Sequence, residues 1–251
     1  MKYTLITGAS SGIGKALSYQ FASRGHNLII TARRQDELQR LKEDIEGKYA
    51  VQVIAKPCDL TLESQAENLY RQLGDYDLSV LINNAGFGDF SMPWDMDLSK
   101  ATRMLDLNIK ALTTLSLLYT RDYSGREATL INVASVGGYS VFDIAVTYCA
   151  TKFFVAAFTE GLAQNLQDQG KKMRAKVIAP GPTQSEFVVR SSDNSGIDGD
   201  GLFAEDSFIT AETLADYTWQ LYDSDSIVGI VSADRRLMLK PPVYPYIRVP
   251  H

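Results

Sequence analysis

The chain has 251 residues, 45% of them hydrophobic and 22% charged, and its formal net charge is −5. This size suits one large α/β domain or two small ones, and the charge balance lacks the clustered lysine and arginine that nucleic-acid binding needs. No apolar run approaches the roughly 20 residues of a membrane-spanning helix. The apolar run at 3–7 indicates a buried strand rather than a signal peptide. We therefore expect a soluble cytoplasmic protein that binds neither nucleic acid nor a membrane.

Short apolar runs alternate with longer amphipathic runs along the chain. Strands are predicted at 3–7, 27–31, 51–55, 78–82, 128–133, 174–179 and 227–231. Helices are predicted at 12–24, 35–47, 62–73, 99–121, 148–167 and 211–222. Continuous apolar strands between helices are typical of a parallel sheet that is buried on both faces. The pattern predicts an α/β fold with a doubly wound, seven-stranded parallel sheet (a Rossmann fold) in three αβα layers, as one domain over 1–251.

Two segments interrupt this alternation. The run at about 186–206 is rich in serine, aspartate and glycine, buries little apolar area and is expected to be a mobile loop. A substrate lid and a tolerated surface insertion are equally good interpretations of it. The tail at 240–251 is punctuated by prolines and is expected to run extended over a surface.

A glycine-rich run at 8–14 follows the first strand directly and opens the first helix. This placement indicates a phosphate-binding loop, because glycines let the backbone approach a pyrophosphate and the helix N-terminus offers unpaired N–H groups. The second strand is followed by Arg33 and Arg34, where NAD enzymes usually carry an acidic residue. Guanidinium groups suit a 2′-phosphate. The sequence therefore predicts NADP(H) rather than NAD(H), and a solvated arginine pair is the alternative.

Other short polar segments follow the third and fourth strands at the same predicted sheet edge. Asp59, with Leu60, is placed to accept hydrogen bonds from an adenine amino group. Asn83, Ala85 and Gly86 follow the next strand, where small residues let a ligand lie close. An ordinary turn with satisfied hydrogen bonds is the alternative interpretation of both segments.

Tyr148 and Lys152 are four residues apart in a predicted helix and therefore lie on one face of it. A free tyrosine has a pKa of about 10, and a nearby cation lowers it. Such a phenol can serve as a general acid or base near neutral pH. Taken alone, this spacing also fits an ordinary surface pair.

Other catalytic chemistries find little support in the sequence. Cys58 and Cys149 lack the spacing of a disulfide framework or a zinc motif, and no metal site is predicted. The only histidines, His26 and His251, lie in no motif. Neither thiol catalysis nor a serine–histidine triad is expected.

Five motifs together resemble the short-chain dehydrogenase/reductases over roughly 3–185. They are the 7–14 run, the Asn-Asn-Ala-Gly run at 83–86, Asn108, Ser135 with the Tyr148–Lys152 pair, and Pro180–Gly181. The resemblance implies that Tyr148 donates a proton to a carbonyl oxygen that Ser135 orients. It implies that Lys152 lowers the tyrosine pKa and holds the nicotinamide ribose, and that Asn108 supports a water and proton relay. The expected cofactor-binding residues are Gly8, Ser10, Ser11, Gly12, Ile13, Gly14, Arg33, Arg34, Asp59, Leu60, Asn83, Ala85, Gly86, Tyr148, Lys152, Pro180, Gly181, Thr183 and Ser185.

Two departures from the family pattern bear on the cofactor and on the assembly. Some NADP(H)-dependent members carry a basic residue where this chain has Ser11, so the predicted cofactor preference depends on Arg33 and Arg34. The segment after 227–231 also differs from the family's usual last turn. A homodimer or homotetramer is expected, without assuming the contacts that this region makes in relatives.

The expected reaction is an NADP(H)-dependent interconversion of a ketone or aldehyde with an alcohol. An NADP(H)-binding sensor without turnover, and a dehydratase or epimerase on the same scaffold, are the alternatives. Aromatic and apolar residues near the predicted sheet edge suggest an apolar pocket for a hydrophobic small-molecule substrate, and plain core packing would also explain them. These residues are Phe87, Phe90, Trp94, Tyr139, Phe142, Phe187 and Val188.

Overall fold

The computed structural model describes residues 1–184, 186–187, 191 and 208–249. Ser185, Val188 and most of the predicted 186–206 loop lie outside the described residues, as do Pro250 and His251. The expectations for those positions therefore stay predictions.

A twisted sheet forms the middle layer, and in the described part of the chain it has eight strands in the order β3-β2-β1-β4-β5-β6-β7-β8. The strands are β1 Lys2–Thr7, β2 Asn27–Ala32, β3 Val53–Pro57, β4 Asp77–Asn83, β5 Thr129–Val133, β6 Arg174–Ala179, β7 Val228–Val231 and β8 Leu237–Lys240. The first seven pair in parallel, as predicted from the apolar runs. β8 pairs antiparallel with β7 at the sheet edge and was not predicted.

Helices cover both faces of the sheet. They are α1 Gly12–Ser23, α2 Gln35–Lys48, α3 Gln65–Gln72, α4 Leu98–Leu105, α5 Leu112–Tyr123, α6 Val146–Asp168 and α7 Ala211–Asp223. A π-helical turn, Asp106–Ala111, joins α4 to α5, so the single helix predicted over 99–121 is interrupted. None of the helices in the described ranges combines the length and the apolar composition that a bilayer crossing requires.

Side chains alternate between two apolar cores along each strand, because successive residues of a strand point to opposite faces. Leu5, Ile29 and Leu81 pack on the face that α3, α5 and α6 cover. Ile6, Ile30 and Ile82 pack on the face that α1, α2 and α7 cover. The predicted three-layer αβα arrangement is confirmed.

The strand order reverses beside β1, which pairs with β2 on one side and with β4 on the other. In open α/β sheets, ligands bind outside the carboxyl ends of the strands at such a reversal. The carboxyl ends of β1, β4, β5 and β6 therefore define where a binding site is expected.

Candidate active site

The loop between β1 and α1 lies so close to the first turn of α1 that positions 8 and 14 accept only glycine. Gly8 has φ +69°, a conformation that L residues with side chains rarely adopt. A Cβ added to Gly14 would lie 2.2 Å from the Gly8 carbonyl oxygen. The loop therefore turns back tightly on the first turn of α1, as a phosphate-binding loop does.

Asn84 and Thr7 lock this loop to the end of β4, and sequence reasoning missed both roles. Asn84 Nδ2 donates to the carbonyl oxygens of Thr7, at 2.9 Å, and Gly8, at 3.4 Å. Thr7 Oγ1 accepts from the backbone N–H groups of Asn84, at 3.0 Å, and Ala85, at 2.9 Å. Both residues belong to motifs that the sequence analysis identified, which was the available signal.

The N-terminus of α1 adjoins the glycine-rich loop and offers hydrogen-bond donors for an anion. Ser11 is the N-cap residue in an extended conformation, and its side chain makes no capping hydrogen bond. The first turn of α1 carries no acidic residue. Backbone N–H groups at a helix start and the positive end of the helix dipole favour an anion there. Ser10 and Ser11 add hydroxyl groups to the same loop.

Arg34 reaches across to this loop, whereas Arg33 is exposed to solvent. Arg34 donates to Ser10 Oγ from Nε at 3.3 Å and from Nη2 at 3.2 Å. It also pairs with Glu186, with 3.3 Å between Nη2 and Oε2. Of the two predicted arginines, the structure therefore places Arg34 at the glycine-rich loop. Glu186 was not predicted to take part.

Three predicted cofactor residues use their side chains elsewhere. Asn83 Nδ2 donates within the sheet and helix layer, to Ser116 Oγ and to Asn132 Oδ1, each at 3.0 Å. Asp59 Oδ1 accepts from the N–H and hydroxyl of Thr61, at 3.0 and 2.8 Å, which closes a local turn. Leu60 is buried in the apolar core. Their roles as cofactor contacts stay predictions, and for Asn83 the side chain is already committed to the interior.

The four residues expected to act in catalysis lie together at the carboxyl ends of β4 and β5. Tyr148 and Lys152 are buried in the first two turns of α6, and Lys152 Nζ lies 5.8 Å from the centroid of the Tyr148 ring. Ser135 follows β5, and its hydroxyl lies near enough to Tyr148 to lower the pKa of the phenol. Lys152 Nζ donates to the Val133 carbonyl oxygen at 2.9 Å, which ties α6 to the end of β5.

Asn108 enters this group from the π-helical turn. Its Nδ2 donates to the Phe87 carbonyl oxygen at 2.9 Å and to Thr151 Oγ1 at 3.1 Å. Thr151 Oγ1 in turn donates to the Tyr148 carbonyl oxygen at 2.7 Å. A Cβ added to Gly86 would lie 3.0 Å from Asn108 Oδ1 and 3.5 Å from Lys152 Nζ, so glycine lets these side chains meet. Thr151 was missed, since a small polar residue in an apolar helix gives no sequence signal.

Burial governs the ionisation of the central pair. It raises the pKa of Tyr148 well above its ordinary value, and the nearby Ser135 hydroxyl lowers the pKa by less. Burial lowers the pKa of Lys152 to about 8. Both shifts have the same cause, because a low-dielectric surrounding disfavours the charged form of each group. The neighbouring Cys149 thiol also has its pKa raised by burial, which keeps it protonated and unreactive.

The segment after β6 borders the same group. The Pro180 carbonyl oxygen accepts from the Val136 N–H at 2.9 Å, beside Ser135. Thr183 Oγ1 donates to the Gly181 carbonyl oxygen at 3.0 Å. Pro180, Gly181 and Thr183 thus lie at the sheet edge beside Ser135, and their role as cofactor contacts stays a prediction.

Aromatic side chains also pack near Tyr148. The Phe187 ring lies 5.4 Å from the Tyr148 ring and 6.4 Å from the Phe90 ring, centroid to centroid. Trp94 is 79% exposed. Tyr139 donates to Glu160 and stacks on Tyr244 of the C-terminal tail. The apolar cluster includes further residues that the sequence analysis did not select: Met96, Met104, Ile144, Ala145 and Phe208.

A glycine-rich loop at the start of a helix, set at the reversal of a parallel sheet, defines a dinucleotide-binding α/β protein. A buried tyrosine, lysine and serine beside that loop narrow the class further. A sequence profile of the short chain dehydrogenase family matches residues 2–196. The chain belongs to the short-chain dehydrogenase/reductase family and is an oxidoreductase of that family.

Individual relatives agree with this assignment. The chain is 33% identical over 217 residues to sulfoacetaldehyde reductase 2 of Chromohalobacter salexigens, covering 84% of each chain. It resembles a short-chain dehydrogenase from Sphingobium yanoikuyae in complex with NADPH, with a TM-score of 0.83, 30% identity, and coverage of 92% of this chain and 87% of that one. It also resembles the bulky-bulky ketone specific alcohol dehydrogenase of Comamonas testosteroni, with a TM-score of 0.79, 26% identity, and coverage of 92% and 86%.

Proposed function

We propose that this oxidoreductase uses NADP(H) to interconvert a hydrophobic ketone or aldehyde with its alcohol, with Tyr148 as the general acid and base. The observation that carries the proposal is the meeting of Ser135, Tyr148, Lys152 and Asn108 at the sheet edge that also holds the glycine-rich loop. These residues come from three separate segments of the chain: the π-helical turn, the turn after β5, and α6. Their convergence supports a single catalytic site.

The donor groups of the loop fit a dinucleotide. The N–H groups at the start of α1 would hold the pyrophosphate, and Arg34 with Ser10 would hold a 2′-phosphate through charge-assisted hydrogen bonds. Lys152 would hold the nicotinamide ribose, and the segment from Pro180 to Thr183 would border the carboxamide. When bound, the nicotinamide supplies or accepts the hydride. The NADPH named for the Sphingobium relative supports this cofactor choice.

The protein's own residues handle the proton. In the reductive direction, the Tyr148 and Ser135 hydroxyls would donate hydrogen bonds to the carbonyl oxygen, where negative charge develops. Tyr148 would then transfer its proton to that oxygen. Lys152, on the same face of α6, would stabilise the phenolate that remains. Asn108 links α6 to the segment that follows β4, because its side chain donates to Thr151 on α6 and to the Phe87 carbonyl oxygen.

The substrate preference is inferred from the residues around Tyr148. Besides the polar groups of Ser135 and Lys152, an apolar and aromatic cluster packs against it, which suits a bulky apolar carbonyl compound better than a small anion. The preference for bulky ketones named for the Comamonas relative supports an apolar substrate. The name of the Chromohalobacter relative instead indicates a charged aldehyde. We also propose that the protein assembles as a homodimer or a homotetramer.

The test measures NADPH and NADH oxidation with a panel of aryl ketones, aromatic aldehydes and sulfoacetaldehyde. We expect turnover of an apolar carbonyl compound with NADPH, and a loss of about 1000-fold or more in kcat for Tyr148→Phe. The matched control is Tyr217→Phe, which removes an exposed hydroxyl that donates to the Arg235 carbonyl oxygen far from the site. Full activity of Tyr148→Phe, or turnover of sulfoacetaldehyde alone, would contradict the corresponding part of the proposal.

A further inference from the structure

The C-terminal tail, residues 241–249, lies along α6, and it meets a buried carboxyl group that the proposed mechanism does not use. Glu160 is fully buried in the middle of α6. Its Oε1 accepts from the Tyr139 hydroxyl at 2.6 Å. Its Oε2 accepts from the backbone N–H groups of Val243, at 2.5 Å, and Tyr244, at 2.9 Å. Three donors converge on one side chain, an arrangement that suits a carboxylate, which only accepts.

The tail residue Tyr244 continues this contact toward the active site. Its ring stacks on the Tyr139 ring, with centroids 5.6 Å apart and an interplanar angle of 18°. Its hydroxyl donates to the Gly138 carbonyl oxygen. Burial, followed by the nearby Glu160 carboxylate, raises the pKa of Tyr244 to about 12, so the hydroxyl stays protonated as a donor.

Gly138 ends the short 3₁₀ turn Val136–Gly138, whose N-cap residue is Ser135 and which we call the Ser135 turn. The Ser135 hydroxyl oxygen accepts from the Gly137 N–H at 3.0 Å, and the Gly138 N–H donates to the Ser135 carbonyl oxygen at 2.8 Å. A Cβ added to Gly138 would lie 2.6 Å from the Lys152 carbonyl oxygen. The turn therefore rests directly on α6 at Lys152, one helical turn after Tyr148.

We propose that Glu160 and Tyr244 are positioning residues for catalysis, because they clamp the Ser135 turn onto α6 through the C-terminal tail. The clamp has two ends: Glu160 fixes the tail to α6, and Tyr244 holds the Gly138 carbonyl group. Ser135 then keeps its hydroxyl aligned with Tyr148. The kinetic part of this inference rests on the proposed function, and its structural part does not.

The tail itself supplies matched controls. Beyond Tyr244, the Tyr246 hydroxyl donates to Asn165 Oδ1 at 3.2 Å, and Arg248 forms two 2.8 Å hydrogen bonds with Asp168. These contacts fasten the tail to α6 without touching the Ser135 turn. Tyr246→Phe removes the same atom as Tyr244→Phe from the same segment, so a difference between the two variants isolates the contact with Gly138.

The experiment compares Tyr244→Phe, Glu160→Gln and Tyr246→Phe with the unmodified chain. Hydrogen exchange is followed by mass spectrometry in peptides covering 134–142, and reduction of the apolar carbonyl compound selected from the panel is followed with NADPH. Tyr244→Phe keeps the ring and its stacking, so it is the variant expected to fold normally. If Glu160→Gln fails to fold, Tyr244→Phe decides alone.

We expect Tyr244→Phe to raise exchange in 134–142 and to lower kcat about tenfold to 100-fold, since small misplacements of catalytic groups have such effects. Its melting temperature and NADPH dissociation constant should match those of Tyr246→Phe, which should keep full activity. Unchanged exchange, unchanged kcat, or an equal loss in Tyr246→Phe would each overturn the clamp. If the unmodified chain reduces none of the probes, the proposed function fails separately, and the exchange comparison then decides on the clamp.

Discussion

The ion pair between Arg34 and Glu186 allows a quantitative prediction about cofactor choice. The guanidinium group contacts Ser10 on the glycine-rich loop and lies 3.3 Å from Glu186 Oε2. A 2′-phosphate that used Arg34 would approach the same group and therefore the same carboxylate. We predict that Glu186→Gln tightens NADPH binding, because it removes a like charge from beside the phosphate.

The magnitude follows from Coulomb's law. Two charges about 5 Å apart across one guanidinium repel by about 0.8 kcal/mol in water, and a phosphate with two charges by about twice that. Salt screens part of this repulsion, since the Glu186 side chain is about half-exposed. We expect the dissociation constant for NADPH to fall about fourfold to tenfold, and the gain to shrink as salt is added. NADH lacks the 2′-phosphate, so its dissociation constant should stay within about twofold, the change expected when no charge faces Glu186.

The assay is a titration of the NADPH and NADH fluorescence at low and high salt. Glu67→Gln is the matched control, because Glu67 also pairs with an arginine, Arg71, at 2.7 Å, on α3 and away from the loop. Two results would refute the reasoning. One is weaker NADPH binding in Glu186→Gln, which would mean that Glu186 orients Arg34 productively. The other is an equal gain for NADH, which would mean that the phosphate is not what Glu186 opposes.

Two further predictions concern the catalytic pair and the loop. Because the Lys152 pKa is lowered to about 8, kcat/KM for reduction should be level below that pH and fall above it. The fall is expected because the lysine loses the charge that is proposed to stabilise the Tyr148 phenolate. A pH–rate profile in the range 6 to 10 checks this, and a profile that stays level throughout contradicts it. Gly14→Ala should abolish NADPH binding, because its Cβ would lie 2.2 Å from the Gly8 carbonyl oxygen. Gly161→Ala, whose Cβ meets nothing within 4 Å, should instead stabilise α6 by about 1 kcal/mol; calorimetry and NADPH titration of both variants measure the contrast.

The strands and the main motifs could be predicted because their signals are local. Each parallel strand is a short apolar run, and the predicted bounds of β6, 174–179, coincide with those observed. β8 was missed because its four residues, Leu237–Lys240, are partly exposed and too short to show a pattern. Its pairing depends on the turn in which Ser232 N–H donates to the Arg236 carbonyl oxygen, a contact that no local run reveals.

The site was harder to predict wherever a residue's role depends on the direction of its side chain more than on its type. Asn83 and Asn84 are adjacent and identical, yet Asn83 points into the interior and Asn84 toward the glycine-rich loop. Successive residues at a strand end alternate between faces, so a motif places both residues at the edge without deciding which one faces the ligand. Glu186 and Glu160 were missed for a different reason, since their partners lie far away in the sequence.

The direction of the Tyr148 pKa shift could not be predicted from the local sequence. The four-residue spacing correctly placed Lys152 on the face of Tyr148, and from that proximity the sequence predicts a lowered tyrosine pKa. The structure raises it instead, because the helix buries both groups and burial has the larger effect. The same burial lowers the pKa of Lys152, so it weakens the cation that was expected to act on the phenol. Spacing reports which groups meet, whereas the direction of a pKa shift depends on the surrounding layers, which only the folded chain provides.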